Sequence, residues 1–267
     1  MAQLKLADGA RLAYDVHGDG PAVALLHPGL WDRRTWDRES ETFADAGFRV
    51  VRHDARGYGG SSRLAGEPYS HVRDLLALLD GLNISKAALV ACSMGGATAI
   101  DFTLEHPERV WALVAVAPGL SGFEATPEEE AWWDERDGPI QAAIDAGDIE
   151  RAEDLRLEIW APLGTSDEAG ARIRQIAFDN IHEVTMDESG EEDIAPPAAG
   201  RLGEIVVPTL VIEAEHDPPD MRRLIEQLVR GIRGARRVAL DADHVVNLRA
   251  PQAFDSVVLP FLREKAP

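Results

Sequence analysis

Residues 87–91, Ala-Ala-Leu-Val-Ala, form an apolar run of the length of one buried strand, and residues 97–105 read as a helix. Between them stands Cys92-Ser93-Met94-Gly95-Gly96. A strand that passes into a helix over so few residues must turn sharply. The positions two before and two after the serine must then be small. They are Ala91 and Gly95. A serine is also a good helix N-cap, so Ser93 taken alone fits a structural turn as well as a reactive one. The remainder of the chain weighs between the two.

Strand signals surround this turn. Residues 3–6 and 11–16 alternate on either side of Asp8-Gly9, a hairpin pattern. Residues 22–26, 48–52 and 110–117 are further short apolar runs, with helical spacing over 35–46 and 72–82. His106-Pro107 ends the helix that follows Ser93. Strand and helix signals alternate, which predicts a largely parallel sheet with helices on both faces. The alternation stops at Pro118. Only helical patterns follow, over 127–146, 149–160 and 167–184, until Pro196-Pro197. It resumes with a strand at 209–213, a helix at 220–230, a strand at 237–240 and a helix at 252–263. The eight strands predict one α/β core, residues 1–119 and 201–267, interrupted by an inserted helical cap over 120–200.

Composition narrows the function classes. The 267 residues suit one large domain with an insert, and a 45% hydrophobic content suffices for a full core. A formal charge of −20 excludes a nucleic-acid partner, because phosphate binding needs a basic footprint. Much of the acidity lies in 124–158 and reads as a solvated surface. The single cysteine, Cys92, excludes an intrachain disulfide. The N-terminal residues lack the apolar stretch of a signal peptide, and no run approaches the roughly 18 apolar residues of a membrane span. A cytoplasmic protein with no membrane partner is expected. Lysine is scarce beside arginine, the usage of a GC-rich bacterial genome.

Three segments together resemble the α/β-hydrolase fold family. They are the turn at Ser93, the run His53-Asp54-Ala55-Arg56-Gly57-Tyr58-Gly59-Gly60-Ser61-Ser62, and His244-Val245-Val246-Asn247-Leu248 followed by Arg249-Ala250-Pro251. The resemblance spans nearly the whole chain except the insert. It implies a mostly parallel eight-stranded sheet flanked by helices and a Ser–acid–His triad in that chain order. Ala91 departs from the family's usual glycine but keeps the position small. The Asp54–Arg56 segment is structural in the family, so neither residue is assigned to catalysis. Esterases, enol-lactonases and perhydrolases form the most similar subgroup.

On that resemblance Ser93 is the nucleophile, Asp217 the acid after the 209–213 strand, and His244 the base after the last strand. Asp220 and His216 are rivals. Asp220 fits a helix N-cap better, and His216 adjoins Asp217 too closely in sequence to bond it. His17, His71 and His106 read as surface residues. Backbone N–H groups of Met94 and of Gly29 would form the oxyanion hole, with Leu30 as the alternative donor; Pro28 has no N–H to give. Trp31, Trp132, Trp133, Trp160 and Phe178 are candidates to bind substrate, weighed against a role as core of the insert.

These assignments imply hydrolysis of a small carboxylic ester or lactone through an acyl-enzyme. The substrate is a small molecule, and the chain leaves room for a homodimer. Cofactors and metals are expected to be absent, since no paired Cys or His spacing and no free Gly-rich phosphate loop occurs. One alternative is a C–C bond hydrolase of dienoate-type diketones with the same triad. Others are a biosynthetic cyclase or lyase, or a non-catalytic binder on the same scaffold.

Overall fold

A computed structural model describes residues 2–64, 66–187 and 190–267. Eight strands form one open sheet in the order β1-β2-β4-β3-β5-β6-β7-β8. The strands are β1 (Ala2–Lys5), β2 (Arg11–His17), β3 (Ala22–Leu26), β4 (Arg49–His53), β5 (Ala87–Cys92), β6 (Val110–Val116), β7 (Thr209–Ala214) and β8 (Arg236–Leu240). β1 and β2 pair antiparallel, as does β2 with β4. From β4 to β8 every pairing is parallel. β3, β5, β6 and β7 are buried along their whole length. Strands covered on both faces read as continuous apolar runs, and for that reason these four were legible as strands.

The covering helices are α1 (Asp37–Asp45), α2 (His71–Gly81), α3 (Ser93–Glu105), α7 (Pro219–Gly231) and α9 (Pro251–Lys265), with a short α8 (Val246–Arg249) before the last. Between β6 and β7 lie α4 (Pro127–Asp145), α5 (Ile149–Trp160) and α6 (Glu168–Asp179). Each of these three starts on a side-chain cap. Thr126 and Glu129 cap reciprocally, Asp148 accepts from the Arg151 N–H, and Asp167 accepts from the Gly170 N–H. Among the described residues no helix is long and apolar enough to cross a membrane.

Two helices differ from the sequence expectation. The helix expected over 35–46 opens instead as a 3-10 turn, Arg33–Trp36, because Asp32 accepts from the Arg34 N–H and starts the turn early. The helix expected over 167–184 ends at Asp179. There the Asn180 carboxamide turns inward, donating to Asp32 and to the Ile176 carbonyl and accepting from the Gly59 N–H. A 3-10 turn, Ile181–Thr185, follows.

Parallel strands end on the same edge of a sheet, and open α/β sheets bind ligands at that edge. The loops after β3, β5, β7 and β8 carry Gly29, Ser93, Asp217 and His244 respectively. The β5–α3 junction is the tightest of these. Ser93 has φ +53, a left-handed conformation that few side chains adopt. A Cβ on Gly95 would lie 2.7 Å from the carbonyl oxygens of both Leu26 and His27. One on Gly96 would lie 2.6 Å from the Pro118 Cβ. The first turn of α3 is thus pressed between the ends of β3 and β6, and the Gly119 N–H clamps the Ser93 carbonyl at 2.9 Å. Gly95→Ala is expected to push the Leu26–His27 backbone aside at a cost of about 1–3 kcal/mol. A fall in unfolding midpoint beyond that of Ala97→Gly would register it, whereas equal stability of Gly95→Ala and the parent would refute the close fit.

Candidate active site

Asp217 sits in the turn after β7, and His244 in the loop after β8. Their side chains are 3% and 2% exposed, and the imidazole Nδ1 lies 3.0 Å and 3.1 Å from the two carboxylate oxygens. An ionised carboxylate only accepts hydrogen bonds, so in this pair Nδ1 carries the proton and Nε2 is left as an acceptor. The thiol of Cys92 donates to the His244 carbonyl at 3.4 Å, which holds the histidine loop against the residue preceding Ser93. Burial raises the Cys92 pKa well above that of an ordinary thiol, so this sulfur is a packing group. On the other side of the loop, Asn247 donates to the Thr35 carbonyl at 2.7 Å and to Glu39 at 2.8 Å.

The rivals are elsewhere. His216 is exposed and pairs with Asp241 at 2.7 Å. Asp220 lies in the first turn of α7 and not at its N-cap, which is Pro218. Burial raises the Asp220 pKa, and its Oδ1 is buried without a hydrogen-bond partner. His71 is a correction: its side chain is 9% exposed, covered by Tyr69 and Glu191. Burial lowers its pKa to about 4. The covering residue Glu191 is far along the chain, so local sequence could not reveal it.

The loop after β3 is built around His27. Its Nε2 accepts from the Ala55 N–H at 2.9 Å, which places the ring proton on Nδ1, and Nδ1 donates to the Pro28 carbonyl at 2.8 Å. Burial lowers the His27 pKa and keeps the ring neutral. The Pro28–Gly29 peptide is trans, so with its carbonyl turned towards His27 the Gly29 N–H points the opposite way. Leu30 follows with φ +68 and is buried. The Met94 N–H belongs to the first turn of α3, where backbone donors have no partner within the helix. Asp54 and Arg56 are buried braces. Asp54 pairs with Arg33 and accepts from the Gly60 N–H, and Arg56 grips Asp74 with two nitrogens at 2.6 and 2.8 Å.

Aromatic side chains close over His244. The Trp160 ring lies 4.3 Å from the imidazole centroid, Trp133 packs on Trp160 at 5.5 Å, and Trp132 meets Trp133 edge-on at 4.9 Å. Arg136 covers Trp132 and Arg174 covers Phe178, at 3.8 and 3.7 Å. Trp31 is fully buried, 6.5 Å from His244, and its indole donates to the Ile173 carbonyl of α6 at 2.9 Å. The structure therefore gathers Ser93, His244, Asp217, Gly29, Met94, Trp160 and Trp133 at one edge. Trp31 pins α6 to the loop after β3. Sequence reading missed His27, Tyr58, Arg156 and Glu183. The face of α5 that repeats Glu153, Arg156, Leu157 and Trp160 was the available signal.

Glu39, fully buried under the histidine loop, has its pKa raised by that burial to about 7. A raised carboxyl pKa means that the folded state binds more protons than the unfolded one. The stabilisation is complete below about pH 4.5 and is lost as pH rises through 7. Glu39→Gln is expected to remove on the order of 1–3 kcal/mol of that pH-dependent loss. Thermal unfolding across this range would show a flatter profile for the variant; parallel profiles would exclude Glu39 as the source.

A family profile described as alpha/beta hydrolase fold matches residues 21–144. A 2-hydroxy-6-oxo-6-phenylhexa-2,4-dienoate hydrolase of Comamonas testosteroni is 37% identical over 125 residues, 43% of this chain and 44% of that protein. The match thus spans less than half the length of that curated relative. The crystal structure of a hydrolase from Pseudomonas aeruginosa superposes with a TM-score of 0.79 at 32% identity, covering 98% of this chain and 97% of the other. Est816, described as an N-acyl homoserine lactone degrading enzyme, superposes at 0.75 with 25% identity over 97% of this chain and all of its own. The sheet order, the left-handed serine after β5 and these similarities place the chain in the α/β-hydrolase fold family.

Proposed function

We propose that this chain is a serine hydrolase of small carboxylic esters or lactones, acting through an acyl-enzyme. The observation that carries the reading is the Asp217–His244 pair on the sheet edge where Ser93 is held at φ +53. Ser93 Oγ attacks the acyl carbonyl. His244 Nε2 takes the hydroxyl proton and passes it to the leaving alkoxide, then activates the water that releases the acyl group. Asp217 keeps the imidazole in the tautomer this requires. The N–H groups of Gly29 and Met94 receive the developing oxyanion, with His27 orienting the first of them. The helical insert serves as a cap, and Trp133 and Trp160 border the substrate.

The Comamonas relative favours a second reading, cleavage of a C–C bond in a dienoate. The same Ser–His–Asp set serves both reactions. The two separate on a substrate pair: a vinylogous 1,5-diketone against an activated ester of similar size. Higher kcat/KM on the ester supports the first reading.

Ser93→Ala is expected to abolish fluorophosphonate labelling and ester turnover while leaving the unfolding midpoint near that of the parent; undiminished labelling would overturn the nucleophile assignment. Asp217→Asn is expected to lower kcat by roughly four orders of magnitude, since an amide cannot hold the same imidazole tautomer. Asp220→Asn should cost far less, and steady-state kinetics of the two variants would reverse the acid assignment if their order were inverted.

A further inference from the structure

The side of α5 that carries Glu153, Arg156, Leu157 and Trp160 faces the site, with Leu157 packed beside Trp31 and Val245 and Trp160 on His244. Arg156 is the cation on that face. Its Nη1 and Nη2 donate to the two oxygens of Glu183 at 2.6 and 2.7 Å, and Nη1 also reaches Glu153 at 3.1 Å. Glu183 is 8% exposed and Glu153 1%. The Tyr58 hydroxyl donates to Glu183 at 3.4 Å, and a Cβ on Gly29 would stand 3.8 Å from that same hydroxyl. A continuous path of contacts therefore runs from the oxyanion-loop glycine through Tyr58 to the carboxylate of Glu183 and the guanidinium behind it.

A substrate carboxylate would need a cation whose charge is not already cancelled. Arg156 faces two carboxylates, and releasing it would strand Glu183 in a buried place. The other arginines nearest the loop are committed as well: Arg33 to Asp15 and Asp54, Arg34 to Asp32 and Asp179. Arg63 keeps a buried Nη1 without a partner, but its guanidinium lies on the Tyr69 ring and beside Glu191. Glu153 retains an oxygen with no donor, and its burial raises its pKa to about 7. The group of this cluster that stands nearest Gly29 is the Tyr58 hydroxyl, whose proton is given to Glu183, so a substrate carboxylate there would meet an acceptor.

We propose that the site selects esters whose acyl group is uncharged, and that the Glu183–Arg156–Glu153 cluster beside Tyr58 rejects acyl chains ending in a carboxylate. The inference rests on the hydrolase reading above. It separates this chain from its dienoate-cleaving relative, whose substrate is an anion.

Three 4-nitrophenyl esters of one acyl length test it: the hexanoate, the hydrogen adipate, and the adipate capped as its methyl ester. The parent is expected to favour the hexanoate over the hydrogen adipate by at least about 100-fold in kcat/KM, the scale of a close like-charge contact. The capped adipate should fall within about threefold of the hexanoate, because it restores neutrality at equal length. Glu183→Gln should narrow the gap at least about tenfold by freeing Arg156. Equal efficiency on hexanoate and hydrogen adipate would overturn the inference and leave the hydrolase reading intact. A gap that closes in about 0.5 M sodium chloride would also overturn it, assigning the discrimination to the net charge of the whole chain, which salt screens. No turnover of any of the three, with no fluorophosphonate labelling, would overturn the hydrolase reading and the inference with it. An unchanged gap in Glu183→Gln would also overturn it; if that variant fails to fold, Tyr58→Phe, which removes the hydroxyl nearest Gly29, reads the same gap, and no change there overturns the inference.

Discussion

The left-handed serine at the end of β5 leaves no space around itself, and much of the molecule is arranged to meet that condition. For Ser93 to hold φ +53 the turn must be gripped from several sides. Gly119 grips its carbonyl from the end of β6, and the β3 carbonyls press against Gly95. Pro118 presses against Gly96. Each of these contacts comes from a neighbouring parallel strand. The tight turn therefore needs the full central sheet, with β3 on one side and β6 on the other. The strand run before it can be uniformly apolar because it is covered on both faces. The same contact with His27 fixes the start of the loop that holds Gly29, so Ser93 and Gly29 share one packing constraint.

Charge plays a different part from packing. The chain is strongly acidic, yet around the site the arginines are tied into carboxylates: Arg33 and Arg52 bind Asp15, Arg56 binds Asp74, and Arg249 binds Asp243. Some of these arginines also join segments distant in sequence. Arg52 also reaches Asp37 at the start of α1, and Arg249 reaches Asp167 at the start of α6. A partly buried, hydrogen-bonded pair is costly to break from one side, which makes it a good fastener for loops that packing alone would leave loose.

Most of the core was legible because it obeys short-range rules. Apolar runs marked β3, β5, β6 and β7, and helical patterns marked α4 and α5. Ser93, Asp217 and His244 were placed by chain order within a family resemblance, not by any local property of their own. What escaped was long-range. His71 read as exposed because Glu191, which covers it, is not a sequence neighbour. α6 ends early because Asn180 bonds Asp32, a residue 148 positions earlier in the chain. Trp31 looked like a pocket residue from its place after Gly29, while its indole is spent on the Ile173 carbonyl. The pairing of Arg156 with Glu183 joins α5 to a 3-10 turn and follows no periodic rule.

Trp160 ends α5 and lies against the imidazole that the core supplies. One wall of the His244 imidazole is therefore made by a helix that lies between β6 and β7. A rearrangement of the insert to admit a larger acyl group would move that wall too. On the function proposed above, rate and selectivity would share this side chain, so adaptation to a new substrate would be coupled to the orientation of His244. Changes at Glu153 and Arg156 reach the same edge by a second path, through Glu183 and Tyr58 to Gly29.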